Sequence, residues 1–175
     1  MDKVELRESM VFEIASKMGG IGKTGMMKAM YFLQQVYKVS LDYDFNIYNY
    51  GPFDEDVLVA VDCAKKKELI DIQLKDYGDG ISGYEIIAKE DMQFPASAYS
   101  GFIDEISRIF SDYTAKKWEL ASTIVYLYVA YHENPDWDIN ELDENVMRIK
   151  PHFTISEIEK ERKHLESLEV LSKAI

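Results

Sequence analysis

The chain is poor in the residues that staple or rigidify a fold. Cys63 is the only cysteine among 175 residues, so no internal disulfide can form. Its setting, VAVDCAKK, has the look of an amphipathic interior, which favours a small buried hydrophobe over a reactive thiol. Only four prolines occur and there is no low-complexity run, which argues against disorder. No apolar run approaches the ~20 residues of a membrane span, and the start, MDKVELRES, lacks the basic head and apolar stretch of a secretion signal. A soluble cytoplasmic chain with no membrane partner is therefore expected. Basic charge is scarce as well: 20 Lys and Arg face 32 Asp and Glu, a formal net charge of -12. Such a surface repels a phosphate backbone, so any DNA contact needs a local basic face, while a basic protein partner is favoured. The three histidines, His132, His152 and His164, have no metal-ligand spacing between them. Neither a metal, a cofactor nor catalytic residues are expected, and the chain is read as no enzyme.

What is abundant is apolar and aromatic: 47% hydrophobic and 13% aromatic residues, including twelve tyrosines, are enough for one core or two small modules sharing one. Val4, Met10, Val11, Ile14, Ala15 and Met18 recur at helical spacing, and Gly19, Gly20 and Gly22 then turn the chain. A second helix is predicted over Thr24 to Lys38. Phe45, Ile47 and Tyr48 suggest a short strand running into Gly51-Pro52. Proline suits the first helical turn, and Asp54, Glu55 and Asp56 suit the positive end of a helix dipole. Val57, Leu58, Val61 and Ala64 continue that helix to about Lys67. LIDIQL over 69–74, a glycine-rich turn, and the alternating Tyr84, Ile86 and Ala88 predict a β-hairpin. Helix, helix, short strand, helix, hairpin is the order of a winged helix.

Beyond a hinge over 91–102 the pattern turns wholly helical. Asp138 with Glu141 and Thr154 with Glu157 match capping boxes, the second opening a long final helix. The expected class is α+β, mostly helical: a winged-helix-like module over residues 1–91 and a helical module over 92–175 packed on it. The apolar stripe of the final helix suits its own chain or a second subunit, which leaves a homodimer open.

MGGIGKT over 18–24 invites comparison with a phosphate-binding loop, with Lys23 reaching a phosphate and Thr24 a magnesium ion. The full motif needs a glycine where Lys17 stands, a preceding buried strand and a parallel sheet. The preceding segment is helical instead, so an interhelical turn is expected and nucleotide binding through Gly19 to Thr24 is the lesser alternative.

A helix carrying Lys28, Met30, Tyr31 and Phe32, followed by Tyr50, Gly51, Pro52 and a further helix, resembles the Panacea domain family, whose members are similar to the SocA antitoxin, and the related YwgA-like bacterial proteins. The resemblance covers roughly residues 8 to 90. It implies a domain that neutralises a partner toxin or hands a partner to a protease, and it implies no catalytic residues. Lys28, Tyr31, Phe32, Gly51 and Pro52 form its structural motif. The tyrosine-rich, acidic stretch of Tyr43, Tyr48, Tyr50, Asp54, Glu55 and Asp56 is the candidate partner surface, for a basic toxin in particular. The alternative is a winged-helix transcriptional regulator, with Lys65, Lys66, Lys67 and Lys75 as DNA-backbone contacts; the acidic start of its third helix opposes docking.

Overall fold

The structure is a computed structural model that describes residues 2–76, 78, 80, 82–92, 97–132, 134 and 136–175, with Asn140 as backbone only. The hinge expected over 91–102 and the turn over 76–80 lie in part outside the described residues.

Helix α1 (Lys3–Lys17) opens on a capping box between Asp2 and Glu5. It stops where Gly19 and Gly20 take φ values of 63° and 110°, a region that costs glycine little. The chain then forms β1 (Ile21–Gly22) before entering α2 (Lys23–Gln35), which ends short of the expected Lys38. Every residue of α2 from Gly25 to Leu33 is buried, because helices from both halves of the chain surround it. β2 (Asn46–Tyr48) and β3 (Gly51–Phe53) form a two-stranded ribbon, with Ile47 opposite Pro52. Proline therefore sits in a strand rather than in the first turn of the next helix. A two-stranded ribbon lets it turn its donor-less nitrogen away from the ladder, and Asp54 takes over the capping role for α3 (Glu55–Lys66).

β4 (Ile70–Asp76) and β5 (Ser82–Ala88) pair antiparallel over seven residues each. The expected interhelical turn is in part a strand: Ile21 pairs with Ile86 and Gly22 with Glu85, so the sheet order is β1-β5-β4. The result is a mixed α+β fold, winged-helix-like at its N-terminal end. The helical part follows, with α4 (Ser100–Phe110), α5 (Ala115–Tyr131), α6 (Ile139–Ile149), α7 (Ile155–Ser167) and α8 (Val170–Ala174).

One hydrophobic core runs through both halves. Phe32 of α2 stacks on Phe110 of α4, with ring centroids 4.8 Å apart, and Trp118 of α5 closes over Phe110 at 5.0 Å. Burying such side chains contributes roughly 1.5–3 kcal/mol each. The Thr154–Glu157 capping box forms as expected, and its hydrogen bonds to Thr154 hold the Glu157 carboxyl down at about 2. The long final helix does not form. Glu169 adopts a left-handed conformation with φ 58° and divides it into α7 and α8. A straight continuation would carry exposed Ser172, seven positions past buried Leu165, toward the core. The break rotates Val170, Leu171 and Ala174 inward instead, so the apolar stripe of this segment packs on its own chain. None of the described helices is long and apolar enough to cross a membrane.

Candidate partner-binding site

The ribbon β2–β3 is fastened from below by two buried lysines. Lys28 of α2 is 2% exposed, and its Nζ donates to the Pro52 carbonyl oxygen at 2.6 Å. Lys150, just past the end of α6, donates to the carbonyl oxygens of Tyr48, at 2.9 Å, and Asn49. Its ammonium also lies 3.1 Å from Glu119 Oε1, and His152 Nε2 lies 3.2 Å from the same oxygen. Lys150 thus meets one buried carboxylate and two backbone carbonyls, and Lys28 a third carbonyl. Burial pushes the Lys28 ammonium down to about 8; nearby Lys150 pushes in the same direction and Glu119 opposes it.

Gly51 lets the ribbon approach this far. Its φ is 88°, and a Cβ there would come 2.9 Å from Ser122 Oγ and 3.1 Å from Thr123 Oγ1 on α5. Tyr31 packs edge-on against Phe45, 5.2 Å between centroids, just before the ribbon begins. Lys28, Gly51 and Pro52 therefore meet at one joint, with Tyr31 packed beside it on Phe45, whereas Phe32 turns to Phe110 and Trp118.

Tyr48 and Tyr50 remain outside, 66% and 69% exposed, at the end of the ribbon. Ile149, next to Lys150, is also exposed. Tyr43 departs from its expected surface position: it is 6% exposed, with the Arg7 guanidinium 4.2 Å above its ring. Gln34 exchanges two 2.8 Å hydrogen bonds with its backbone, which holds the segment down. Burial pushes its hydroxyl pKa up, with Arg7 opposing.

The acidic trio is divided. Asp54 caps α3 by accepting from Asp56 N–H at 2.8 Å, and it accepts from Asp44 N–H as well. Asp56 lies 3.2 Å from Arg7. Glu55 is exposed. Of the four candidate phosphate contacts, Lys67 is paired with Glu8 and Lys75 with Glu85 at 2.5 Å, whereas Lys65 and Lys66 are exposed. The outer face of α3 also presents Glu55, Asp56, Val59 and Asp62. Cys63, expected to be buried, is only half-buried on the flank of that face. The segment from Gly19 to Thr24 follows a helix and enters an antiparallel sheet, and Val57 to Asp62 lies in α3 rather than in a strand.

Glu119, Lys150 and His152 were not marked by any motif. They lie far from the ribbon in sequence, and Lys150 reads locally as an ordinary lysine before a proline. Among the described residues no group of three or more His, Cys, Asp or Glu side chains is placed to hold a metal ion. No protein-family model, curated protein or solved structure matches the chain, so the functional reading rests on the residues themselves.

Proposed function

We propose that this chain is a non-enzymatic protein-binding module of antitoxin or adaptor type, as its resemblance to the Panacea domain family implies. The observation that carries the proposal is the pair of exposed tyrosines on a ribbon anchored by two buried lysines. Tyrosine anchors interfaces with large contact area, and an anchored ribbon loses little freedom on binding. The acidic start of α3 follows directly from β3, which suits a basic partner such as a toxin.

The test is affinity capture from the native host with wild type and with Tyr48→Ala/Tyr50→Ala, followed by mass spectrometry and a binding titration. The expected outcome is one small basic protein held stoichiometrically by wild type, with at least about tenfold weaker binding to the variant, the loss typical of interface anchors. Equal binding by both overturns the assignment of the surface. The second reading, a DNA-binding regulator, is favoured by the three-stranded wing and by the exposed Lys65 and Lys66. It requires an affinity for duplex DNA that falls steeply with salt and is weakened by Lys65→Ala/Lys66→Ala.

A further inference from the structure

The wing has one long open edge. Its sheet order is β1-β5-β4, so β4 pairs with β5 on one side and with no described strand on the other. The opposite edge, β1, is two residues long. Lys89 N–H donates to the Leu69 carbonyl oxygen at 3.0 Å, which fixes the parity of the ladder. Leu69, Asp71, Gln73 and Lys75 turn their backbone groups to β5, whereas Ile70, Ile72, Leu74 and Asp76 turn theirs outward. The Ile72 N–H bears this out, since in the single chain it donates to the Asp71 carboxylate at 2.8 Å. An unpaired edge of this kind is a template for a further strand.

The apolar face of the wing also outruns the core. Ile86 is buried and Ile72 half-buried, but Leu74 and Tyr84, opposite each other in the register, are 69% and 54% exposed. Edge strands are usually kept short or charged, so an exposed leucine on a long open edge asks for a cover.

The sequence of β4, IDIQLKD, is complementary to itself. Laid antiparallel on a second copy about a two-fold axis at Gln73, it sets Asp71 opposite Lys75 and Ile72 opposite Leu74, and the symmetry repeats both pairs. The pleat sends Asp71, Gln73 and Lys75 to one face and Ile72 and Leu74 to the other, so opposite charges meet on one side and apolar groups on the other. The outward backbone groups match as well, because Ile72 of one copy and Leu74 of the other exchange N–H to carbonyl bonds. Centring on Ile72 instead sets Lys75 against Leu69, and centring on Leu74 sets Asp76 against Ile72. A chain of net charge -12 repels its own copies at long range, so a self-contact needs such local matching of sign. The apolar stripe of α7 and α8 packs on its own chain and does not supply that contact. We infer that the chain forms a homodimer through β4, which joins two wings into one continuous antiparallel sheet. The short β1 offers no comparable edge, so pairing stops at two. This surface belongs to the wing rather than to the Tyr48–Tyr50 ribbon, and the inference does not rest on the partner reading above.

Two seven-residue strands make less than a standard interface, and Asp71 must release the Ile72 N–H to reach the partner's Lys75, so a weak dimer is expected, with Kd on the order of 10–100 µM. The experiment is sedimentation velocity of the full chain over a concentration series from about 5 to 500 µM, which brackets that range. Asp71→Lys and Lys75→Asp should each weaken the dimer about tenfold or more, because the symmetry turns both charge pairs from attractive to repulsive. An equimolar mixture of the two variants should restore it, since Lys then faces Asp and Asp faces Lys. Leu74→Lys, at a position 69% exposed in the single chain, should also weaken the dimer without loss of stability, and keeps the test decisive should a charge variant disturb the wing. A chain that stays monomeric throughout overturns the inference and leaves the edge to a strand of another protein. A dimer that all three variants leave intact overturns it too, as does a mixture no tighter than its components or growth past two copies. None of these results bears on capture of a protein partner by Tyr48 and Tyr50.

Discussion

Replacing Lys28 with methionine removes a buried ammonium while keeping most of its stem, and the consequence is readable in the pH dependence of stability. In the unfolded chain a lysine holds its proton to about 10.5; in the fold, burial and Lys150 bring Lys28 down to about 8. Between those values the unfolded state binds more protons than the native state, so stability must rise with pH. At ~1.4 kcal/mol per tenfold, the gain from this one group amounts to about 2.5 kcal/mol by pH 10. Above pH 10 the trend reverses. Tyrosines ionise in the unfolded chain, whereas Tyr31, Tyr37, Tyr43 and Tyr113 are held protonated in the fold, chiefly by burial. Urea unfolding of wild type at pH 7, 8, 9 and 10 should therefore show a midpoint that climbs from pH 8 and then flattens. Lys28→Met should lose the climb. At neutral pH the loss of a buried charge and the loss of a donor to Pro52 oppose each other, leaving a net change within about 2 kcal/mol. Parallel profiles for the two proteins would refute the account, because the rise would then come from other groups.

Gly51→Ala forces a side chain into a left-handed conformation and into Ser122 and Thr123 of α5; a loss of about 3 kcal/mol in urea unfolding is expected, combining the conformational and overpacking costs. Asp143→Ala removes both 2.8 Å acceptors of the buried Arg162 guanidinium, leaving Glu166 as its remaining carboxylate. That should cost about 3–5 kcal/mol, measured the same way, since one buried charge is left behind. Tyr48→Ala/Tyr50→Ala, by contrast, should stay within about 0.5 kcal/mol of wild type in thermal unfolding, because both rings are exposed. A larger loss would mean that the tyrosines hold the ribbon together rather than serve a partner.

Much of this architecture was legible in the sequence because it is local. Helical spacing from Met10 to Ala15, alternation at Tyr84, Ile86 and Ala88, and the Thr154–Glu157 box each depend on residues within a turn or two of one another, where backbone geometry alone sets the rule. The sequence set Lys28, Gly51 and Pro52 apart only by a resemblance, and the hydrogen bond that joins Lys28 to Pro52 appears only in the folded chain. What the pattern did not show was decided by groups meeting across the chain. Ile21 and Gly22 became a strand because β5 offered an unpaired edge; taken alone, two residues between glycines have no strand character. Pro52 stands in a ribbon because Asp54 caps the helix. Tyr43 lies inside because Arg7 and Gln34, contributed by two different helices, cover it. The break at Glu169 re-aims a stripe whose period gave no warning of it. Lys150 illustrates the difference most clearly: an ammonium can be buried only where acceptors converge, and its acceptors, Glu119 and the backbone of Tyr48 and Asn49, come from distant segments that only the folded chain brings together.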